Sequence, residues 1–168
     1  MFSKDVTIEG EILAKDWKVN MSKDVKLNTL LAQAGVKKDE TTGALTTPLH
    51  FSTTYQHPEF GQSTGYDYTR TKNPTRVSLE ETLAAIESAN YALATSSGMS
   101  AIVLAFSAFP VGSKVLAVRD LYGGSFRWFT QAEAEGRFAF TYANTEEELL
   151  NNLTEDIDIV YIETPTNP

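Results

Sequence analysis

From residue 73 onward, short apolar strand-like runs recur about every twenty residues, with helical stretches between them. That beat constrains the chain more than any other feature. Parallel strands need a long crossover, usually a helix. The pattern therefore predicts an α/β fold with a mostly parallel sheet and helices on both faces. Asn73-Pro74-Thr75 opens the regular part: Asn is a strong N-cap and Pro suits the first helical position. Leu79, Leu83 and Ile86 follow at helical spacing. A strand is predicted at 91–95, and Ser96-Ser97-Gly98 opens a helix through Ile102, Leu104 and Phe106 that Pro110 and Gly112 stop. Strands at 114–118, 137–142 and 157–162 alternate with a helix carrying Phe126, Phe129 and Ala132 on one face. Another helix starts at Thr145, whose acidic first turn suits the positive end.

Residues 1–72 lack this beat and are rich in Thr, Gly and Lys. Residues 1–23 are expected to be a flexible extension, with Met21 offering a second start. Residues 24–72 read as an arm, and 73–168 as the first part of a larger domain. A sheet ending at Pro168 would keep an open edge, so the chain is expected to be part of a larger fold.

Composition excludes several function classes. Asp plus Glu is 22 against 14 Lys plus Arg, a net charge of −8. An acidic chain is poorly suited to bind nucleic acid or an anionic membrane through bulk charge. Without cysteine there is no disulfide, thiolate nucleophile or Cys-ligated zinc, and two histidines argue against a His-built metal site. No apolar run is long enough to cross a bilayer, and no signal peptide is visible, so a cytoplasmic location is expected.

In parallel sheets ligands bind beyond the carboxyl ends of the strands. That selects the loops at 95–99, 120–124 and 163–168. Ser96-Ser97-Gly98-Met99-Ser100 opens a helix, where free N–H groups and the dipole suit a phosphate; taken alone, an ordinary Ser N-cap with a turn glycine explains it more simply. Tyr68 and Arg70, two apart on an extended stretch, would point the same way and could fork around a phosphate, or be incidental loop charges. Tyr122, before two glycines, could lie over a planar ligand or pack on the sheet end. Glu163 and Asn167 could meet a polar ring atom or cap a turn. His50 and His57 assemble no triad.

Four motifs in order carry a resemblance. They are Gly65-Tyr66-Asp67-Tyr68-Thr69-Arg70-Thr71-Lys72-Asn73-Pro74-Thr75-Arg76, Ser97-Gly98-Met99-Ser100-Ala101-Ile102, Asp120-Leu121-Tyr122-Gly123-Gly124-Ser125 and Glu163-Thr164-Pro165-Thr166-Asn167-Pro168. Over about residues 24–168 the chain resembles the cystathionine γ-synthase, cystathionine lyase and methionine γ-lyase family, the trans-sulfuration enzymes that use pyridoxal 5'-phosphate (PLP). The resemblance implies an incomplete large domain of the aspartate-aminotransferase type (PLP fold type I), preceded by an extended N-terminal arm that reaches a neighbouring subunit. It implies homotetramers of tight dimers. It assigns Tyr68 and Arg70 to the PLP phosphate of the partner subunit, and the N–H groups of Gly98 and Met99 to their own subunit's phosphate. Tyr122 would stack on the pyridine ring and take part in proton transfer. Asn167 would lie near the ring hydroxyl, with Glu163 supporting it. The implied reaction is γ-replacement on an O-acylhomoserine, as in cystathionine γ-synthase or O-acylhomoserine thiol-lyase; a cystathionine β- or γ-lyase is the alternative. The family's Schiff-base lysine lies well downstream of the Thr-Asn-Pro loop, and this sequence has no lysine after Lys114. The 168 residues alone are therefore expected to be inactive, and a truncated non-catalytic remnant is the reading from another class.

Overall fold

The structure, a computed structural model, describes residues 26–36 and 39–166. The expectation for residues 1–23 and the site assignment of Asn167 lie outside the described residues. The chain divides into two compact units, residues 26–94 and 95–166 of the described part.

The second unit holds the sheet. Its elements run α3 (Gly98–Phe106), β1 (Ser113–Val118), α4 (Gly123–Ala134), β2 (Phe138–Ala143), α5 (Glu146–Asn152) and β3 (Ile159–Tyr161). The strands are parallel and ordered β2-β1-β3, with Val115 opposite both Phe140 and Ile159. The chain moves outward from β1 to β2, then back past β1 to β3. Two right-handed crossovers in opposite directions put α4 and α5 on opposite faces. Both helices touch β2, and α5 also touches β1.

Strand alternation then sorts the side chains. Val115 and Ala117 face the α4 side, where they pack with Phe106, Phe129, Ala132 and Phe138. Leu116, equally buried, faces the other side. Of the aromatics, Phe106, Phe129 and Phe138 are core, and Trp128 and Phe140 pack against them half-buried: Phe106 lies 5.2 Å from Trp128, 5.1 Å from Phe129 and 5.3 Å from Phe138, centroid to centroid. On α4 the buried set is Ser125, Phe129 and Ala132. Phe126, expected on that face, instead lies 5.8 Å from the ring of Tyr142, and the Arg119 guanidinium covers both rings.

At the amino ends of the strands, register is pinned by charge. The Lys114 amide donates to the Asp158 carboxylate at 2.8 Å, and the Lys114 ammonium sits 2.5 Å from Asp156. Hydrogen bonds from Lys114 and then Thr154 bring the Asp156 carboxyl down to about 2 from 3.8. A depressed carboxyl stabilises the fold above its unfolded value and ceases to as pH falls through its folded value. Asp156→Asn is therefore expected to lower the melting temperature at pH 7. The gap should close as pH falls from 3.8 toward 2 in a series of thermal melts. A pH-independent gap would refute this. The pair is exposed, so the effect is small and fades with salt.

The first unit holds α1 (Leu27–Ala32) and α2 (Pro74–Ile86), joined by irregular chain with isolated bridges at Val36–Thr46, Thr54–Tyr68 and Glu59–Gln62. The short α1, which buries no residue, went unpredicted. Asn73 caps α2 as expected, its side-chain oxygen accepting from the Thr75 amide at 2.9 Å. The residues α2 buries are Val77 and Ala84; Leu79 and Leu83 of the predicted stripe stay exposed.

One predicted element is absent. Residues 91–95 form no strand. A strand needs a neighbour to complete its ladder, and none is present among the described residues. The Ala94 amide instead donates to the Glu80 carboxylate at 2.9 Å. No helix among the described residues is long and apolar enough to cross a membrane.

Candidate cofactor site

The predicted site residues that are described fall into two groups, one in each unit. In the second unit the carboxyl ends of β1 and β3 are adjacent, so the loops after them meet. Glu163 comes from the loop after β3, and Tyr122 from the loop after β1. The Tyr122 amide donates to Glu163 Oε2 at 2.7 Å. Tyr122 precedes α4 but its side chain caps nothing. Glu163, distant in sequence, supplies the negative charge that a helix start favours.

Two residues that sequence reasoning did not assign complete this cluster. The Ser125 and Tyr161 hydroxyls each donate to Glu163 Oε1 at 2.7 Å. Ser125 is fully buried. Two-residue alternation in the strand did carry a signal for Tyr161, since it puts positions 161 and 163 on one side. Burial pushes the Glu163 carboxyl up, but the three hydrogen bonds outweigh it, and the group sits below its ordinary range. Burial, with the bond to Glu163, pushes the Tyr161 phenol up to about 12. Glu163 is thus an anion and Tyr161 a neutral donor at pH 7.

Beside them, α3 begins. Ser97 is its N-cap, accepting from the Ser100 amide at 3.1 Å and paired with the Ser100 hydroxyl at 2.9 Å. Among the described residues the Gly98 and Met99 amides have no acceptor, as expected for the first turn of a helix. A Cβ on Gly98 would enter open space, so no protein group crowds that end. Met99 Sδ lies 4.0 Å from the Ser125 hydroxyl. This donor set fits a phosphate: two free N–H groups and a pair of hydroxyls, at the positive end of a helix dipole.

Gly124 fixes how Tyr122 sits. A Cβ there would overlap the Tyr122 ring and come 3.2 Å from Met99 Sδ. The missing methyl therefore leaves free a space that the Tyr122 ring and the Met99 thioether both border. Tyr122 is 47% exposed, so its side chain is open to solvent. Gly124→Ala is expected to displace the ring while the fold persists, because Ala favours a helix over Gly by about 1 kcal/mol. The check is loss of the NMR cross-peak between the Tyr122 ring and the Met99 methyl, with the melting temperature held or raised. A retained cross-peak would show that the glycine is not needed for this contact.

In the first unit, Tyr68 and Arg70 also meet. Arg70 Nη2 donates to the Tyr68 hydroxyl at 2.9 Å, and its guanidinium lies 5.0 Å from the Tyr68 ring centre. They do so differently from the expectation. The chain turns here instead of running extended, with the Thr71 and Lys72 amides both donating to the Tyr68 carbonyl at 3.0 Å. Arg76 holds the turn through the carbonyls of Thr69, Arg70 and Thr71. Arg70 remains exposed and Tyr68 half-buried. His57 pairs with Asp67 at 2.7 Å on the surface of the same unit.

Residues 28–168 match the family described as Cys/Met metabolism PLP-dependent enzyme. The chain belongs to that family. It is 41% identical over 144 residues to the cystathionine gamma-synthase/O-acetylhomoserine (thiol)-lyase of Bacillus subtilis, covering 84% of this chain and 39% of the relative. It is 39% identical over 146 residues to a cystathionine gamma-lyase of the same organism, covering 86% and 38%. Among solved structures it is similar to the cystathionine gamma synthase of Xanthomonas oryzae pv. oryzae in complex with cystathionine, with a TM-score of 0.78 and 37% identity over 86% of this chain and 38% of that one. The chain thus spans about two fifths of the length of these relatives. The family is PLP-dependent, and the fold expectation of an incomplete α/β large domain with a parallel sheet stands.

Proposed function

We propose that this chain is the N-terminal part of a cytoplasmic PLP-dependent trans-sulfuration enzyme that replaces the γ-substituent of an O-acylhomoserine with a thiol. The observation that carries the reading is the α3 start. Two unpartnered amides, Gly98 and Met99, open beside an aromatic ring, Tyr122, at the carboxyl ends of parallel strands. Phosphate and ring of one ligand need those two features together.

Each residue then has a task. The Gly98 and Met99 amides hold the phosphate without a counter-charge. The Tyr122 ring covers one face of the pyridine, and its hydroxyl is placed to take or return a proton. Tyr68 and Arg70, on an arm formed by residues 24–72, present a hydroxyl and a guanidinium to the phosphate held by a neighbouring subunit. Asn167 orients the ring hydroxyl, and Glu163 supports that region. When bound, PLP supplies the electron sink that stabilises negative charge at the substrate Cα. The assembly is a homotetramer of tight dimers, the arm crossing between subunits.

Synthase and lyase relatives match at similar identity, so the substrate is read by assay on the complete protein that contains this chain. Cystathionine formed from an O-acylhomoserine and cysteine supports γ-replacement. Release of pyruvate or 2-oxobutyrate from cystathionine, without synthesis, would replace it with a lyase. Absence of both activities in a PLP-loaded protein would sink the catalytic reading.

A further inference from the structure

We propose that Ser125 and Tyr161 are positioning residues that act through Glu163 to set the Tyr122 ring beside the start of α3. The inference rests on the reading that Tyr122 faces the cofactor.

The Glu163 carboxylate is used on both oxygens. Oε1 takes the Ser125 and Tyr161 hydroxyls, and Oε2 takes the Tyr122 amide. The two hydroxyls are anchored in the core and not in loops. Ser125 is fully buried on the face of α4 that carries Phe129. The Tyr161 ring stands edge-on to Phe129 at 5.0 Å and lies 5.8 Å from Phe106. The exposed loop residue, Tyr122, is therefore tied through one carboxylate to two rigid points. Ser125 also lies against Met99, whose amide opens the phosphate cradle. One cluster thus fixes the distance between the group that would hold a phosphate and the ring that would cover the pyridine. Preorganisation of that kind sharpens affinity without adding contacts.

A simple helix cap on α4 would predict only a loss of stability when Glu163 is removed. A positioning role predicts a displaced ring in a folded protein, and rescue by glutamine. Glutamine can accept from the Tyr122 amide with its oxygen and donate from its NH2 to the two hydroxyls, which rotate to accept.

The test uses the full chain with labelled Tyr and Met, reading the Tyr122 ring–Met99 methyl cross-peak. It compares wild type, Glu163→Ala, Glu163→Gln, and the Ser125→Ala/Tyr161→Phe double variant. The cross-peak should vanish in Glu163→Ala, return in Glu163→Gln, and weaken in the double variant, while the amide signals of β1 and β2 stay in place. Should Glu163→Ala unfold, the double variant decides between the two roles. A second readout compares pyridoxamine 5'-phosphate, which needs no lysine, with inorganic phosphate. Glu163→Ala should weaken the first by roughly tenfold, about one lost ring stack, and leave the second unchanged. A cross-peak that persists in Glu163→Ala and in the double variant overturns the proposal, as does an equal loss for both ligands. If wild type binds neither ligand, the cofactor reading fails, while the cross-peak still decides the positioning.

Discussion

Phe106→Ala should remove about 3–5 kcal/mol of stability, the usual cost of emptying a buried aromatic site. Phe106 is 3% exposed and sits at the last position of α3. Its ring meets Trp128 edge-on at 77° and Phe138 at 84°, geometries that add to plain burial. Phe129, Phe140 and Tyr161 complete the shell. These neighbours come from α4, β2 and β3, so none can close the cavity without disturbing another element. Whole domains are stable by about 5–15 kcal/mol, so this loss is a large share. The midpoint of urea unfolding should fall accordingly, with Phe106→Leu in between. A loss under about 1 kcal/mol would mean the site collapses freely and the aromatic cluster is not a packed core. The effect reaches the candidate site as well. Phe106 anchors the carboxyl end of the helix whose first turn offers the Gly98 and Met99 amides. Inorganic phosphate affinity should therefore fall in parallel with stability.

What could be read from sequence follows from how local each signal was. The helix at Asn73-Pro74 depends on a cap and a ring that act within a few residues, and the structure has α2 begin at Pro74. β1 depends on a buried run, and its burial pattern matches. The failures are those where the deciding partner is distant. Residues 91–95 have strand composition, but composition cannot supply a ladder neighbour, and Glu80 takes the Ala94 amide. Leu79 and Leu83 repeat at helical spacing, yet period alone does not say that anything covers the stripe. The turn at 68–72 depends on Arg76, whose reach to three carbonyls no residue pattern announces. At the candidate site, sequence position selects Tyr122 through the loop after β1 and Gly98 and Met99 through a helix start, although the strand predicted before that start is absent. It does not select Ser125, because its role depends on a carboxylate 38 residues away.

Asn73→Ala is the second large effect, and it links the stability of the first unit to the residues proposed to reach a partner's cofactor. Asn73 is buried, at 9% exposure. Its oxygen caps α2 through the Thr75 amide. Its NH2 lies 2.6 Å from the Thr69 hydroxyl, 3.1 Å from the His50 carbonyl and 3.3 Å from the Tyr55 hydroxyl. Two hydrogens thus serve three acceptors, and one side chain joins the helix to residues 50, 55 and 69. Alanine loses the cap, at about 1 kcal/mol. It also leaves three acceptors to water, the exposed His50 carbonyl and the half-buried Tyr55 and Thr69 hydroxyls, at about 0.5–1.5 kcal/mol. The total should be about 1–3 kcal/mol. Thr69 stands between Tyr68 and Arg70, and its amide donates to the Thr53 carbonyl at 2.9 Å. Freeing its hydroxyl should loosen the turn that lets Arg70 fold back on Tyr68. Hydrogen exchange should therefore quicken at residues 68–77, with residues 113–118 of β1 unchanged. Asn73→Asp separates the two roles. It keeps the cap oxygen but has no NH2, so α2 should hold while the turn loosens. Equal protection of the turn in Asn73→Asp and wild type would show that the cap alone matters. Tyr68 and Arg70 would then be held by Arg76 without help from Asn73.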